Sequence, residues 1–428
     1  MANDPVPKSP ADTSPEPKAA EGDKKALIEK EVTLPAEKVS VINLVEWVVD
    51  YAYEARASDI HFDPGEDKVK IRFRIDGVLH TVFNIPKGLQ DEVISRIKVL
   101  SGLRTDEHQA AQDGRFRITL KDARFDIRVS ITPTYYQENA VLRLLVEQGQ
   151  DFTLEKMRFS KGNLDKVQRA MTKPYGMILA TGPTGSGKTT TLYTILRILN
   201  TDNVSIITIE DPIEYSVEGM NQIQVNPQTG LTFANGLRSV LRQDPNIIMI
   251  GEVRDQETAG IAVNAALTGH LLLATLHTND AATTLPRLID MHVEPFLIAS
   301  TVNIAIGQRL VRKVCEACTQ KRHLTVSEIQ KFSTVIPKAL LRKNKDYEFS
   351  YGVGCKVCNG SGYKGRVGVH EVLEVTEAIR DAITKRMSAS DIKQIATHEG
   401  MTTMLEDGFD KAIAGVTTFE EVLRVMHE

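Results

Sequence analysis

The sequence is poor in cysteine, in aromatic residues and in net positive charge. It has four cysteines, one tryptophan, 6% aromatic residues and a formal net charge of −4. That charge creates no global basic field for nucleic acid, and no aromatic-basic segment offers a stacking surface for single strands. No apolar run reaches the roughly 18 residues of a membrane span, and no apolar segment of a secretory signal opens the chain. We therefore expect a globular protein that contacts a membrane only peripherally.

The 428 residues are long enough for two or three domains, preceded by a tail. Residues 1 to about 36 begin with five prolines in the first 17 positions, set among Ala, Lys, Asp, Glu and Ser. Almost nothing in this segment can be buried, so we predict a disordered tail. It is either a simple flexible leader or a docking segment.

Residues 37–152 are predicted to form a small α+β domain of PAS-like type. Ser40 is a plausible N-cap for an amphipathic helix over about 40–56. Residues 69–75 alternate as a half-buried strand, and Asp76-Gly77 predicts a hairpin turn into the next strand. A second helix is predicted over 87–101, and further strands over 115–120, 124–131 and 140–146.

A glycine-rich loop follows a short apolar strand over 177–181. The loop fits the pattern G-x-x-x-x-G-K-[ST] at every fixed position, and apolar residues at helical spacing follow it. In this context the loop turns backbone N–H groups toward phosphates, and the helix N-terminus adds partial positive charge. Lys188 is expected to reach the β- and γ-phosphates, and Thr189 to ligate Mg²⁺. The residues predicted to bind ATP are Gly182, Pro183, Thr184, Gly185, Ser186, Gly187, Lys188, Thr189 and Thr190.

The loop belongs to a predicted ATPase core over residues 153–312. In this core, apolar runs that predict buried strands alternate with helical patterns. The strands are predicted over 204–209, 246–250 and 271–276, and the helices over 233–243, 255–268 and 280–290. Such alternation predicts a parallel, doubly wound sheet, whose ligands lie at the carboxyl ends of the strands. A polar cluster follows each predicted strand, so we expect these clusters to share one edge.

Hydrolysis of ATP needs a carboxylate that orients or deprotonates the attacking water. Glu252, just after the strand over 246–250, is the first candidate, and Gly251 takes the usual place of a metal-binding aspartate. Glu210 and Glu214 form a second acidic cluster, for which a solvated strand end is the alternative interpretation. His277, at the carboxyl end of the strand over 271–276, is a candidate sensor of the γ-phosphate, although a lone histidine is more often structural.

Two C-x-x-C pairs, Cys315 with Cys318 and Cys355 with Cys358, are separated by 36 residues. Two such pairs predict a closed, tetrahedral zinc site of the structural kind, with free thiols as the alternative. A loop and a helix over about 325–343 would fill the interval. Residues 313–368 are therefore predicted to be a zinc-binding subdomain, and residues 369–428 a helical C-terminal subdomain.

Taken in order, these motifs resemble the secretion ATPase superfamily over about residues 40–428. The resemblance is carried by the family's Walker A, Asp box, Walker B and His box, matched here by 182–189, 208–214, 241–255 and 268–280, and by upstream motifs at 57–64 and 72–77. The branch that it looks most like is the assembly ATPases of type II secretion and type IV pili. That branch carries a four-cysteine site, which the retraction ATPases generally lack.

The resemblance implies a RecA-like ATPase that uses ATP, Mg²⁺ and Zn²⁺. It also implies a homo-hexameric ring in the cytoplasm, peripheral at the inner membrane, that moves a membrane platform protein and so adds pilin or pseudopilin subunits. Arg128 and Arg143 match two family arginines that close onto the γ-phosphate. Branch members often carry extra N-terminal docking domains. Only a short tail precedes residue 40 here, so docking through such a domain is not expected.

Two other functions are compatible with a P-loop sheet. One is a nucleic-acid motor, such as a helicase or a DNA-transfer ATPase, because related sheets serve those tasks. The acidic charge balance argues against it, and we expect no nucleic-acid partner. The other is a zinc-bound scaffold that binds ATP without turnover. The full set of acidic and histidine motifs argues against that.

Overall fold

The computed structural model describes residues 23–120, 123–145, 153–323 and 348–427. The chain divides into two compact units, Met1–Val146 and Glu147–Glu428, and each is described by itself. Within the described ranges no helix is long and apolar enough to cross a membrane. The first 22 residues of the expected tail and the helix expected over 325–343 lie outside these ranges.

The N-terminal unit is built on a six-stranded antiparallel sheet of order β3-β2-β1-β6-β5-β4. Its strands are β1 (Ala57–Pro64), β2 (Lys68–Ile75), β3 (Val78–Pro86), β4 (Gln112–Leu120), β5 (Ala123–Thr134) and β6 (Gln137–Leu145), and its helices are α1 (Asp23–Glu31), α2 (Val41–Glu54) and α3 (Gln90–Ser101). Alternate strand residues such as Ile60, Ile71 and Ile127 are buried in one core with Val48 of α2 and Ile97 of α3. The predicted α+β character is confirmed.

The prediction of a disordered tail is wrong for residues 23–31, which form α1. Ile28 of this helix is fully buried in the core of the N-terminal unit. Lys24 forms ion pairs with Asp50 and Glu54 of α2. The polar composition of residues 23–31 does not predict this helix. The burial of one isoleucine side chain, which stabilises the fold by a few kcal/mol at most, and these ion pairs hold it in place.

The C-terminal unit is built on a seven-stranded sheet with helices on both faces. Its strands are β7 (Gly176–Thr181), β8 (Ile206–Glu210), β9 (Asn221–Gln224), β10 (Ile247–Ile250), β11 (Leu271–Leu276), β12 (Val302–Val314) and β15 (Tyr363–Glu374), with β13 (Thr319–His323) and β14 (Glu348–Gly352) paired separately. Its helices are α4 (Lys161–Met171), α5 (Lys188–Leu199), α6 (Phe233–Val240), α7 (Gln256–Leu267), α8 (Ala281–Asp290), α9 (Pro295–Thr301), α10 (Glu377–Thr384), α11 (Ala389–His398), α12 (Met404–Ile413) and α13 (Phe419–His427).

The strand order is β15-β12-β7-β11-β10-β8-β9, and only β15 runs antiparallel to its neighbour. Every residue of β7, β8, β10 and β11 is buried, as expected for parallel strands covered on both faces. The predicted parallel α/β core is confirmed. Because β7, β10 and β11 run in the same direction, their carboxyl ends meet at one edge of the sheet.

The cysteine-rich segment is inserted between two neighbouring strands of this same sheet. The boundaries expected at 312 and 368 fall inside β12 and β15, which pair with each other. The helices that follow are part of the same packing. Ile379 of α10 and Ile392 of α11 lie in the core of the sheet, whereas Phe409 of α12 packs with residues of β12 and β15. The C-terminal helices therefore stabilise the sheet directly.

Candidate nucleotide-binding site

The phosphate loop connects the buried strand β7 to helix α5, as the sequence predicts. Gly185 and Gly187 have φ of 77° and 88°, a left-handed conformation that favours glycine. The Lys188 side chain is buried, and its Nζ donates to the carbonyl oxygens of Gly182, at 2.9 Å, and Pro183, at 3.0 Å. Lys188 is therefore held over the loop, where bound phosphate oxygens would be stronger, charged acceptors.

Glu252 and His277 come together at the carboxyl edge of the sheet. Glu252 follows β10, His277 follows β11, and these strands are parallel neighbours. His277 Nε2 lies 3.2 Å from Glu252 Oε2, and Arg254 Nη2 lies 2.5 Å from Glu252 Oε1. Burial lowers the pKa of Lys188, and the charge of Glu252 partly opposes this effect. A cation, a carboxylate and an imidazole from three separate motifs thus share one site.

Glu210 has a different environment from Glu252. Its carboxylate is buried and accepts hydrogen bonds from Tyr193, from Thr208 at 2.6 Å and from Gln222 at 3.2 Å. Burial raises the pKa of Glu210, although the three hydrogen bonds oppose the shift. Glu214, by contrast, is exposed at the surface. The two glutamates of the second acidic cluster therefore have different environments, although the charge of Glu214 also raises the pKa of Glu210. The structure does not test their expected roles.

Two contacts of this site were missed in the sequence. Tyr193 lies on the apolar side of α5, and Gln222 lies on β9, which has no apolar alternation. The signal for Tyr193 was a hydroxyl inside an apolar helical stripe, because a buried hydroxyl needs a partner.

His270 lies at the opposite, amino end of β11, and its Nδ1 is 2.9 Å from the carbonyl oxygen of Ala265, which indicates a structural role.

The phosphate loop and the His277 segment are also joined by threonines. The main-chain N–H of Thr278 donates to the Thr181 hydroxyl at 3.0 Å, and both hydroxyls are buried. Thr181 is the last residue of β7, directly before the loop, and Thr278 follows His277. A displacement of either segment would therefore change the position of the other.

Arg128 and Arg143 lie opposite each other on the neighbouring strands β5 and β6 of the N-terminal unit. Arg115 of β4 lies opposite Arg128, and Asp59 of β1 lies opposite Arg143 and pairs with Arg74 of β2. Residues directly opposite in an antiparallel sheet share one face. We call these five residues the arginine row. Arg143 Nε donates to Asp59 Oδ1 at 2.8 Å.

The four cysteines form a compact group in the C-terminal unit, and all four Sγ atoms lie within 4.8 Å of one another. Individual Sγ–Sγ distances are 3.9 Å for Cys315–Cys355, 3.8 Å for Cys318–Cys358 and 3.7 Å for Cys355–Cys358. A tetrahedral ion with Zn–S bonds of about 2.3 Å needs sulfur atoms about 3.8 Å apart. The main-chain N–H groups of Cys355 and Gly362 donate to Cys358 Sγ, which favours a thiolate. The group therefore fits a metal ion.

A parallel sheet, a glycine loop with a buried lysine and a glutamate–histidine pair at the same edge define a P-loop ATPase. Comparison with known proteins then gives the family. The chain matches the Type II/IV secretion system protein family over residues 35–424 and belongs to it.

Two relatives illustrate how much of each protein is shared. The chain is 47% identical over 394 residues to the Type II secretion system protein E of Xanthomonas campestris pv. campestris, covering 92% of this chain and 68% of that protein. It is 45% identical over 401 residues to the type IV pilus assembly ATPase PilB of Thermus thermophilus, covering 93% of this chain and 44% of that protein. The chain therefore spans about two thirds of the first relative and less than half of the second.

Solved structures agree with this family. A structure described as the pilus retraction motor PilT with bound ADP is 26% identical, and the match covers 89% of this chain and 96% of that chain with a TM-score of 0.60. The Legionella pneumophila ATPase DotB shares the fold at 23% identity, with a TM-score of 0.64 and coverage of 89% of this chain and 95% of its own.

Proposed function

We propose that the protein is the ATP-hydrolysing motor of a machine that assembles pilin or pseudopilin subunits, as in a type IV pilus or a type II secretion system. The observation that carries the proposal is the meeting of Lys188, Glu252 and His277 at the carboxyl edge of the sheet. The names of the relatives supply the process. One is a type II secretion protein and another a pilus assembly ATPase.

In this proposal each residue of the site has a separate role in binding or hydrolysing ATP. The phosphate loop binds the phosphate oxygens through its N–H groups and through Lys188. The Thr189 hydroxyl would hold Mg²⁺, which would supply positive charge beside the phosphates. Glu252 orients and deprotonates the attacking water, and His277, 3.2 Å away, keeps the carboxylate in place and detects the γ-phosphate. Glu210 and Glu214 assist from the neighbouring strand end.

We further propose that the motor works as a homo-hexameric ring in the cytoplasm, held at the inner membrane by a platform protein of the machine. Arg128 and Arg143 close onto the γ-phosphate and stabilise the charge that develops in the transition state. Their cross-strand placement supports this role, because two guanidinium groups on one face can address one anion together.

The four cysteines are proposed to hold a structural Zn²⁺ that closes the segment inserted between β12 and β15. Purified protein should contain about one zinc ion per chain, and Cys358→Ser should lower both the zinc content and the melting temperature. Elemental analysis and a thermal melt check this. Full zinc occupancy in the variant would remove Cys358 from the site.

The proposed motor function is tested by ATP turnover as a function of protein concentration, with and without single-stranded DNA. We expect the activity per chain to rise with concentration as rings form, to be indifferent to DNA, and to vanish in Lys188→Ala. Lys161→Ala, which changes an exposed lysine at the start of α4, is the matched control and should keep full activity. Stimulation by DNA of severalfold would instead favour a nucleic-acid motor.

A further inference from the structure

Gln308 is a buried polar residue beside the phosphate loop that the proposed mechanism does not use. It lies on β12, whose pairing with β7 extends to Gly307 opposite Thr181, so Gln308 stands next to the point where the loop begins. Only 1% of it is exposed to solvent. Burying an amide costs free energy unless hydrogen bonds compensate, so its partners indicate what the side chain holds in place.

Both ends of the Gln308 amide are bonded to the phosphate-binding element. Its Nε2 donates to the carbonyl oxygen of Ser186 at 2.8 Å, and its Oε1 accepts from the Thr191 hydroxyl at 2.5 Å. The backbone is equally close. A Cβ atom at Gly182 would lie 2.3 Å from the main-chain oxygen of Gln308, and one at Gly187 would lie 2.7 Å from Nε2. Contact with Gln308 therefore requires glycine at both positions.

The bond from Gln308 to Ser186 sets the direction of a peptide plane. In a trans peptide the C=O of one residue and the N–H of the next point in opposite directions. The Ser186 carbonyl points toward β12, so the Gly187 N–H points to the other side, into the loop. Gly187 directly precedes α5, and within the described residues no side chain caps this helix. The Gly187 N–H is thus directed at the place where a phosphate oxygen would bind.

We propose that Gln308 is a positioning residue for phosphate binding, which holds the Ser186–Gly187 peptide with its N–H turned into the loop. Thr191 fixes the orientation of the amide, because only Nε2 can donate to the Ser186 carbonyl and only Oε1 can accept from the Thr191 hydroxyl. Gln308 acts through the Gly187 backbone and contacts no phosphate itself. The inference rests on the proposed function, in which this loop binds the phosphates of ATP.

The first test is the affinity of the full chain for ADP in the presence of Mg²⁺, measured by calorimetry. Gln308→Met keeps the approximate volume of the side chain and removes both hydrogen bonds. It should weaken ADP binding about tenfold, which is the size expected for one charge-assisted hydrogen bond. Gln168→Met, at an exposed position of α4, is the matched control and should bind ADP like the wild type.

The second test separates peptide orientation from simple packing. Gln308→Glu places a carboxylate against the Ser186 carbonyl at pH 8, so ADP binding should be weaker than in Gln308→Met. A buried carboxyl has a raised pKa, and once protonated it can donate to Ser186. The loss of ADP affinity in Gln308→Glu, relative to the wild type at the same pH, should therefore shrink at least threefold between pH 8 and pH 5.5. The deficit of Gln308→Met should not change.

The outcomes are distinct. If the wild type fails to bind ADP, the proposed function fails, and this inference fails with it. If the wild type binds ADP and Gln308→Met binds it equally well, Gln308 does not position the loop. If Gln308→Met does not fold, the acid-dependent recovery of Gln308→Glu decides alone. A deficit of Gln308→Glu that is independent of pH would show a packing role only and would overturn the inference.

Discussion

Two of the polar clusters among the described residues differ in how they are built. The cluster around Glu252 lies at strand ends of the C-terminal unit, and its charges are of opposite sign and paired within hydrogen-bonding distance. The arginine row crosses the middle of the N-terminal sheet and contains four arginines and a single aspartate. The first cluster pairs its one carboxylate with Arg254 and lies close to Lys188, so its excess of positive charge is small. The second carries more positive than negative charge.

This difference indicates which step each cluster can serve. A cluster that places a carboxylate beside the phosphate loop can activate water next to a bound nucleotide. A row with excess positive charge becomes most favourable when an anion reaches it, and the transition state of phosphoryl transfer spreads negative charge over the γ-phosphate oxygens. We therefore expect nucleotide binding to depend on the phosphate loop and the rate of hydrolysis to depend on both clusters.

The largest expected effect is that of Glu252→Gln. Replacing the carboxylate by an amide of the same shape removes the base while keeping the contact with His277, so turnover should fall by about 10²–10³. ADP affinity should stay within about threefold of the wild type, because the phosphate loop is intact. Steady-state turnover and calorimetry measure the two quantities. Glu257→Gln, at an exposed position of α7, is the control.

Near-normal turnover in Glu252→Gln would show that Glu252 is not the base. Glu210, whose carboxylate is buried and has a raised pKa, would then be the next candidate.

A smaller effect is expected of Arg128→Ala, which tests the positive row. Turnover at saturating ATP should fall at least tenfold with ADP affinity unchanged, because an arginine finger acts on charge that develops only in the transition state. Arg115→Ala changes the cross-strand neighbour of Arg128 and should reduce turnover less than threefold. If both variants lose the same activity, the row acts as a general field and no single arginine contacts the phosphate.

An assay of the two variants mixed together shows which chain supplies the arginine to a given nucleotide. Lys188→Ala chains cannot use their own phosphate loop, and Arg128→Ala chains lack the arginine. If arginines complete the sites of neighbouring chains in a ring, the mixture should recover part of the activity that each variant lacks alone. No recovery would mean that Arg128 serves the nucleotide of its own chain.

Much of the C-terminal unit could be predicted because its signals are local. Fully buried parallel strands such as β10 and β11 are continuous apolar runs, and the phosphate loop is a contiguous motif. The helices predicted over 255–268 and 280–290 agree with α7 and α8 to within one residue at each end, and in the structure Asp255 and Asp280 are their N-caps.

What could not be predicted depends on partners distant in sequence. The strand β12 mixes apolar residues with the buried polar residues Gln308 and Arg309, so it gives no simple pattern. The importance of Gln308 comes from Ser186, 122 positions away. The helix α1 is stabilised by one buried side chain, Ile28, which no periodicity reveals. The side-by-side placement of Arg128 and Arg143 required the strand register.

The smallest expected effect concerns the only acid of the arginine row, Asp59. Burial raises the pKa of Asp59, but the hydrogen bonds from Arg143 and Ser58 and the charges of Arg143 and Arg74 outweigh burial, so the pKa is lowered overall. A lowered pKa in the folded state means that the carboxylate stabilises the fold above its unfolded pKa of about 3.9 and loses this contribution as the pH falls below that value. Asp59→Asn should therefore reduce the free energy of unfolding by about 1 kcal/mol at pH 7.

The pH dependence makes this last prediction specific to charge. The difference in melting temperature between Asp59→Asn and the wild type should be about 2–4 °C at pH 7 and should narrow as the pH falls below about 3.9, where the aspartate of the unfolded chain becomes protonated first. Asp126→Asn removes an exposed carboxylate that pairs with Arg117 on the same sheet, and should change the melting temperature by less than about 1 °C. An equal loss in both variants would show that the Asp59 pair is no stronger than an exposed one. Asp59 would then not have a special role in holding the arginine row, and this difference between the two clusters would not stand.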